Sequence, residues 1–217
     1  MAPRNGTIQY HPSLLPKHRG PSSINWSIIN GEKETGFTIF WPDGDLDTGP
    51  ILYQETVNIG PDDSTGSLYF KKLFPQGVNA LIEAVGMVRQ GIAPRIEQDQ
   101  SKATYEGWCK VKDVVIDWNK SIDSIHDLIR GSDPSPGARA YFSGAELGFY
   151  GSSRVLHPNE ASPGEVIQIT EQGILISCNG GVIKIEKIKP SGKNKSSAFE
   201  WSKILSIETG SRFDNMK

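Results

Sequence analysis

The chain has 217 residues, 36% of them hydrophobic and 22% charged, with a formal net charge of −2. That describes an ordinary globular chain of one large domain or two small ones, and it disfavours both disorder and a membrane class. No run of 18 apolar residues exists, and the start "MAPRNGTIQYHPS" lacks the apolar core of a secretory signal, so a cytoplasmic protein with no membrane partner is expected. Cys109 and Cys178 stand far apart without a CxxC spacing and read as isolated thiols. Up to Trp108 there are 9 Lys+Arg against 12 Asp+Glu, and beyond it 14 against 13, so neither part is a strong nucleic-acid magnet.

In chain order, Gly6 to Tyr10, "GTIQY", reads as a strand whose end presents His11 before a Pro-bounded loop. "GPSSINWSIING" reads as a short helix with Gly31 as its stop. "TGFTIFW" (Thr35 to Trp41) and "ILYQETVNI" (Ile51 to Ile59) are two strands around an acidic loop. A long helical pattern follows through Leu68, Leu73, Val78, Leu81, Ile82, Val85 and Val88, with Ser64 or Asp63 as N-cap. Pro75 should kink or split it, and Gly91 and Pro94 end it. Ala93 to Gly107 has little periodicity and reads as a linker. Beyond it come a helix at "SIDSIHDLIRG" (Ser121 to Gly131) and five strand-like runs punctuated by glycine, which suggest a small barrel.

The acidic loop "DGDLDTG" superficially has calcium-loop spacing, but no glycine stands at its sixth position and Gln54 occupies the twelfth. His126 and His157 lack ligand spacing, so no metal is expected. A His and an Asp at the ends of neighbouring strands, here His11 and Asp47, can also make a proton-transfer pair, the carboxylate fixing the imidazole tautomer.

"HPSLLPKHRGPSSINW", "GFTIFWPDGDLDTGPIL", "ATYEG", "IDW" and "IRG" resemble the formyltransferases that use 10-formyltetrahydrofolate: the methionyl-tRNA and amino-sugar enzymes and the hydrolase domain of 10-formyltetrahydrofolate dehydrogenase. The resemblance implies an α/β fold: the C-terminal part of a Rossmann-like catalytic domain (residues 1–108), then a small OB-like β-barrel domain (residues 109–209). It implies formyl transfer from 10-formyltetrahydrofolate to methionyl-tRNA or an amino sugar, or hydrolysis by water. His11 would protonate the formyl oxyanion, Asp47 would orient it and help move the proton, and Gln9 would stand where many members carry an asparagine donor. Ser13, Leu14, Leu15 and Pro16 match the loop packing along the folate, and Asp43, Gly44, Asp45 and Leu46 the loop facing its pteridine. The family's first parallel strands precede the histidine and are absent here. The chain is therefore expected to be the C-terminal portion of a formyltransferase, N-terminally truncated: either a truncated product or one part of a split protein whose missing half another chain supplies. The competing expectation is an inactive remnant that binds RNA or a partner through the barrel, for which "IKIEKIKPSGKNK" (Ile183 to Lys195), with five lysines to one glutamate, is the local support. A lysine-guarded hairpin edge accounts for that run equally well.

Overall fold

The structure is a computed structural model that describes residues 6–155 and 160–214; His157 lies outside the described residues. The chain divides into two compact units, Met1–Ile28 with Glu32–Trp108, and Ile29–Gly31 with Cys109–Lys217.

The first unit is built on a three-stranded sheet of order β1-β2-β3, where β1 is Gln9–His11, β2 Glu34–Phe40 and β3 Ile51–Asn58. β2 lies centrally and is buried from Thr35 to Phe40, as its run of apolar and small residues requires. Both pairings are antiparallel, with Tyr10 opposite Ile39 and Thr38 opposite Gln54. β1 is shorter than "GTIQY" and ends later, at His11. Pro12, which has no N–H for a ladder, follows directly and turns the chain away from the sheet.

Helix α1 spans Ser23–Ile29, and Gly31 follows in the left-handed region at φ 74°. The long helical pattern is split, as Pro75 foretells. Helix α2 (Thr65–Leu68) starts at Ser64, which forms a reciprocal capping box with Ser67. A π-turn then covers Tyr69–Leu73, and α3 runs Phe74–Gln90. Proline can neither donate to the carbonyl four residues back nor fit its ring against it, and the widened turn just before Pro75 relieves both conflicts. Gly77, Ala80 and Ala84 form the buried side of α3. A methyl added at Gly77 would lie 2.4 Å from Tyr10 Cε2, so the glycine is what lets the Tyr10 ring approach the helix.

The second unit is a six-stranded antiparallel sheet following helix α4 (Ile122–Gly131), which Ser121 caps. Its strands are β4 (Ala138–Phe142), β5 (Ala145–Val155), β6 (Val166–Thr170), β7 (Gly173–Cys178), β8 (Gly181–Pro190) and the two-residue β9 (Ser196–Ser197). The order is β4-β5-β8-β7-β6, with β9 alongside β8; among the described residues this is an open path, not a closed barrel. Trp118, Phe149 and Phe213 stack edgewise and at a tilt at the centre of its core with Ile125 and Ile129 of α4. Helix α5 (Ala198–Ile204), which periodicity did not expose, follows β9. No described helix is long and apolar enough to cross a membrane.

One glycine ties the first sheet to the loop after His11. A methyl at Gly36 of β2 would lie 2.1 Å from the Glu55 carbonyl oxygen and 2.5 Å from Leu14 Cδ2. Gly36→Ala must therefore push apart two strands and the loop. It is expected to cost about 1–3 kcal/mol, read as a lowered urea midpoint at unchanged slope; an unchanged midpoint would show that Leu14 is not seated on the sheet.

Candidate active site

His11 ends β1 and is 6% exposed, and Asp47 sits 5% exposed in the loop between β2 and β3. His11 Nδ1 lies 3.5 Å from Asp47 Oδ2. That is an ion-pair distance rather than a good hydrogen bond, and the same Oδ2 accepts the Gly20 N–H at 2.9 Å. His11 Nε2 stands 2.8 Å from the carbonyl oxygen of His18. A carbonyl can only accept, so Nε2 carries the proton and Nδ1 is the nitrogen left for chemistry on the Asp47 side. Burial pushes the His11 imidazole below its ordinary 6.5, against the opposing effects of the His18 carbonyl and the Asp47 charge. The pair is thus a neutral imidazole with a lone pair beside a buried carboxylate, able to accept a proton at Nδ1 and have the resulting cation stabilised.

The loop after His11 is held by polar groups that fold into it. Thr38 of β2 donates its hydroxyl to the Ser13 carbonyl at 2.7 Å and accepts from Leu15 N–H at 3.1 Å and Gln54 Nε2 at 2.8 Å. Gln54 also donates to the Leu15 carbonyl at 2.9 Å. Ser13 is buried and donates its hydroxyl to the Lys17 carbonyl at 2.7 Å, and Leu15 is core at 2% exposed. These two residues shape the loop, while Leu14 and Pro16 are half-buried.

Asp47 lies in the left-handed region at φ 56°. Gln98 secures the loop there, donating Nε2 to the carbonyls of Asp47 at 2.9 Å and Gly49 at 2.7 Å, while its Oε1 accepts from the buried Arg19 guanidinium at 2.6 and 3.2 Å. The rest of the acidic loop projects outward: Asp43, Gly44, Asp45 and Leu46 are exposed. The Thr48 hydroxyl, bonded to Asp43 Oδ1 at 2.6 Å, holds the Asp43 carboxyl below the usual range. Gln9 is exposed and, two residues before His11 on the same strand, projects to the same side of the sheet. The structure therefore joins His11 to Asp47, sets Gln9 on their side of β1, and separates the exposed residues 43–46 from the buried Asp47. Among the described residues no group of three His, Cys, Asp or Glu could hold a metal ion.

Several supporting residues escaped the sequence reading. The segment read as a linker runs beside the His11 loop: Arg19 N–H donates to the Thr104 carbonyl at 3.0 Å, Thr104 N–H to the Pro16 carbonyl at 3.2 Å and Glu106 N–H to the Arg19 carbonyl at 3.1 Å. Thr38 and Gln54 were findable, since each is a polar residue inside an apolar strand run and they lie in register. Gln98 and Thr104 carried no such signal.

The first unit is thus a small α/β unit with a buried histidine–aspartate pair, His11 at the end of its edge strand and Asp47 in the β2–β3 loop, and a β-rich second unit follows it in the chain. Residues 1–85 match the family model described as formyl transferase, and residues 109–205 that of the formyl transferase C-terminal domain. The chain belongs to the formyl transferase family. Human mitochondrial 10-formyltetrahydrofolate dehydrogenase is 43% identical over 189 residues, which are 83% of this chain and 20% of that protein. Methionyl-tRNA formyltransferase of Desulforamulus reducens is 34% identical over 209 residues, 96% of this chain and 66% of that protein. The chain thus spans about a fifth of the dehydrogenases it matches. The crystal structure of HypX from Aquifex aeolicus in complex with tetrahydrofolic acid superposes with a TM-score of 0.77 at 20% identity, over 92% of this chain and 34% of that one, and shares its fold.

Thr38→Val keeps the shape of the side chain and strands the Ser13 carbonyl and the Leu15 N–H in a buried place. A loss of about 1–3 kcal/mol is expected, seen as a lower Tm, with Leu15 and His11 amides exchanging faster with solvent; unchanged exchange at those amides would mean that the loop is held by something else.

Proposed function

We propose that this chain carries the catalytic centre for transfer of a formyl group from 10-formyltetrahydrofolate to an amine, or for its hydrolysis to formate. The observation that supports this most directly is the His11–Asp47 pair with its proton committed to Nε2 and its Nδ1 facing the carboxylate. In the reaction proposed, an amine nitrogen or a water oxygen bonds to the formyl carbon and gives a proton to His11 Nδ1. Asp47 stabilises the imidazolium, and Gln9, on the same side of β1, donates to the formyl oxyanion. Collapse breaks the bond to the folate nitrogen, which takes the proton back from Nδ1. The products are a formylated amine, or formate, and tetrahydrofolate. The exposed loop Asp43–Leu46, with the Leu46 side chain 52% exposed, offers backbone groups and an apolar surface to a flat ring, and Ser13–Pro16 shape the wall beside His11.

The relatives named above support the donor, and one of them brings methionyl-tRNA as acceptor; an amino sugar and water are the other acceptors that the resemblance implies. A glycine-punctuated antiparallel sheet is consistent with an OB-like second domain over 109–209. The reading as an inactive RNA-binding remnant is not favoured. In its lysine run, Lys184 pairs with Glu186 at 3.3 Å and Lys195 lies over the Tyr150 ring at 4.2 Å, so part of the charge is engaged within the unit.

The test is consumption of 10-formyltetrahydrofolate, followed by absorbance with water alone and with each amine acceptor. His11→Ala should lower kcat by about 10²–10⁴-fold. Because the folded His11 binds its proton less tightly than a free imidazole, the acid limb of kcat/KM is expected below 6.5, with the neutral base fully formed above it. The same depressed affinity means that the unfolded state binds more protons as pH falls through 6.5, so stability is complete above that pH and declines below it. A limb that survives unchanged in His11→Gln would assign the base to another group.

A partner follows from the surface of the first unit. Phe70, Phe74, Val78, Ile82 and Val85 form an exposed apolar stripe over the π-turn and α3, beside a hollow of about 200 Å³ that Tyr10 also lines. In the described sheet, β1 pairs on one side only. This face and edge suit docking of the first half of a formyltransferase catalytic domain. Ile82→Glu should abolish co-purification of that half when the two are co-expressed; undiminished capture would exclude the stripe as its seat.

A further inference from the structure

His18 resembles neither a core residue nor a solvent-facing loop residue. It is 5% exposed and sits in the left-handed region at φ 55°, which a side-chain-bearing residue rarely adopts. Its ring has a carboxylate near each nitrogen: Nε2 is hydrogen-bonded to Glu32 Oε1 at 2.9 Å, while Nδ1 lies 3.1 Å from Glu106 Oε1, an ion-pair distance at an angle that makes no hydrogen bond. Its N–H donates to Thr104 Oγ1 at 2.8 Å. Its carbonyl is the acceptor that holds His11 Nε2–H. Ionised carboxylates only accept, so a neutral ring could satisfy one of them and would turn a lone pair toward the other. The imidazolium donates to Glu32 and is attracted to Glu106 by charge.

We propose that His18 is a positioning residue: as a cation clamped between Glu32 and Glu106, it fixes the strained backbone carbonyl that locks His11 in its Nε2–H form, and so directs proton transfer through His11 Nδ1 on the Asp47 side. This rests on His11 acting as the acid–base group, as proposed above. The groups that determine it come from separate places in the unit: Glu32 from beyond α1, Glu106 and Thr104 from the segment alongside the His11 loop, and Asp47 from the β2–β3 loop. The consequence for chemistry is a choice of nitrogen. With the carbonyl withdrawn, His11 could carry its proton on Nδ1, hydrogen-bond Asp47, and present no base at that position.

The test is long-range ¹H–¹⁵N correlation of the histidine rings in the full chain near neutral pH, alongside kinetics. In the unaltered protein, His11 is expected to show a protonated Nε2 and a bare Nδ1, and His18 two protonated nitrogens. His18→Asn, whose side chain tolerates the left-handed region, keeps the backbone while losing the double pairing. It should give His11 a mixture of tautomers and lower kcat by about 10- to 100-fold with KM for the folate within about twofold. Should that variant fail to fold, Glu106→Gln keeps the size of the side chain and should make His18 neutral and shift the His11 pattern the same way. A His11 carrying Nδ1–H in the unaltered protein, a neutral His18 there, or a His11 pattern indifferent to both substitutions would overturn the proposal. These spectra are read without turnover, so a chain that shows the expected tautomers yet consumes no 10-formyltetrahydrofolate refutes the proposed function and upholds the role of His18.

Discussion

The site depends on one constraint: a loop that leaves the sheet and is buried must find a partner for each of its backbone polar groups. Between His11 and Gly20 the chain is neither helix nor strand, yet much of it is shielded from water. Its partners are side chains and distant backbone. Thr38 takes Ser13 O and Leu15 N–H, Gln54 takes Leu15 O, Thr104 takes the N–H groups of His18 and Arg19, and Asp47 takes Gly20 N–H. The last bond makes a structural group out of the proposed catalytic carboxylate. Asp47 closes the end of the loop that begins at His11, so the pair is brought together by the same interaction that completes the loop.

That constraint also explains which parts were legible in the sequence. β2 and β3 appeared nearly at their observed bounds because apolar burial on a pleated surface writes itself into the chain at short range. The split at Pro75 was legible because a missing N–H acts on the residues next to it. Residues 93–107 were read as a linker because their bonds run to residues some eighty positions away and leave no periodicity, as with Thr104 to His18 and Gln98 to Arg19. The antiparallel run of the first sheet was hidden for a related reason: a strand's own sequence does not record the direction of its neighbour. His11 and Asp47 were visible as motif residues; the nitrogen His11 uses was not, since it is set by a carbonyl, a group every residue has.

The 98–106 segment bears on geometry more than any single catalytic side chain does. It touches both sides of the pair. On the Asp47 side, Gln98 holds the carbonyls of Asp47 and Gly49; on the His11 side, Thr104 and Glu106 hold His18, whose carbonyl holds the ring. Arg19 bridges the two by pairing its guanidinium with Gln98 while its backbone pairs with Thr104 and Glu106. The 3.5 Å between His11 Nδ1 and Asp47 Oδ2 is therefore a distance between two loops that share one brace. A proton moved to a transition state must find its acceptor already aligned, because realignment during the reaction would add to the barrier. Two loops tied separately to the sheet could drift by a fraction of an ångström without losing any bond. Tied to a common segment, they cannot separate without stranding Arg19 and the carbonyls that Gln98 satisfies, and a buried cation left without partners costs more than the drift could return.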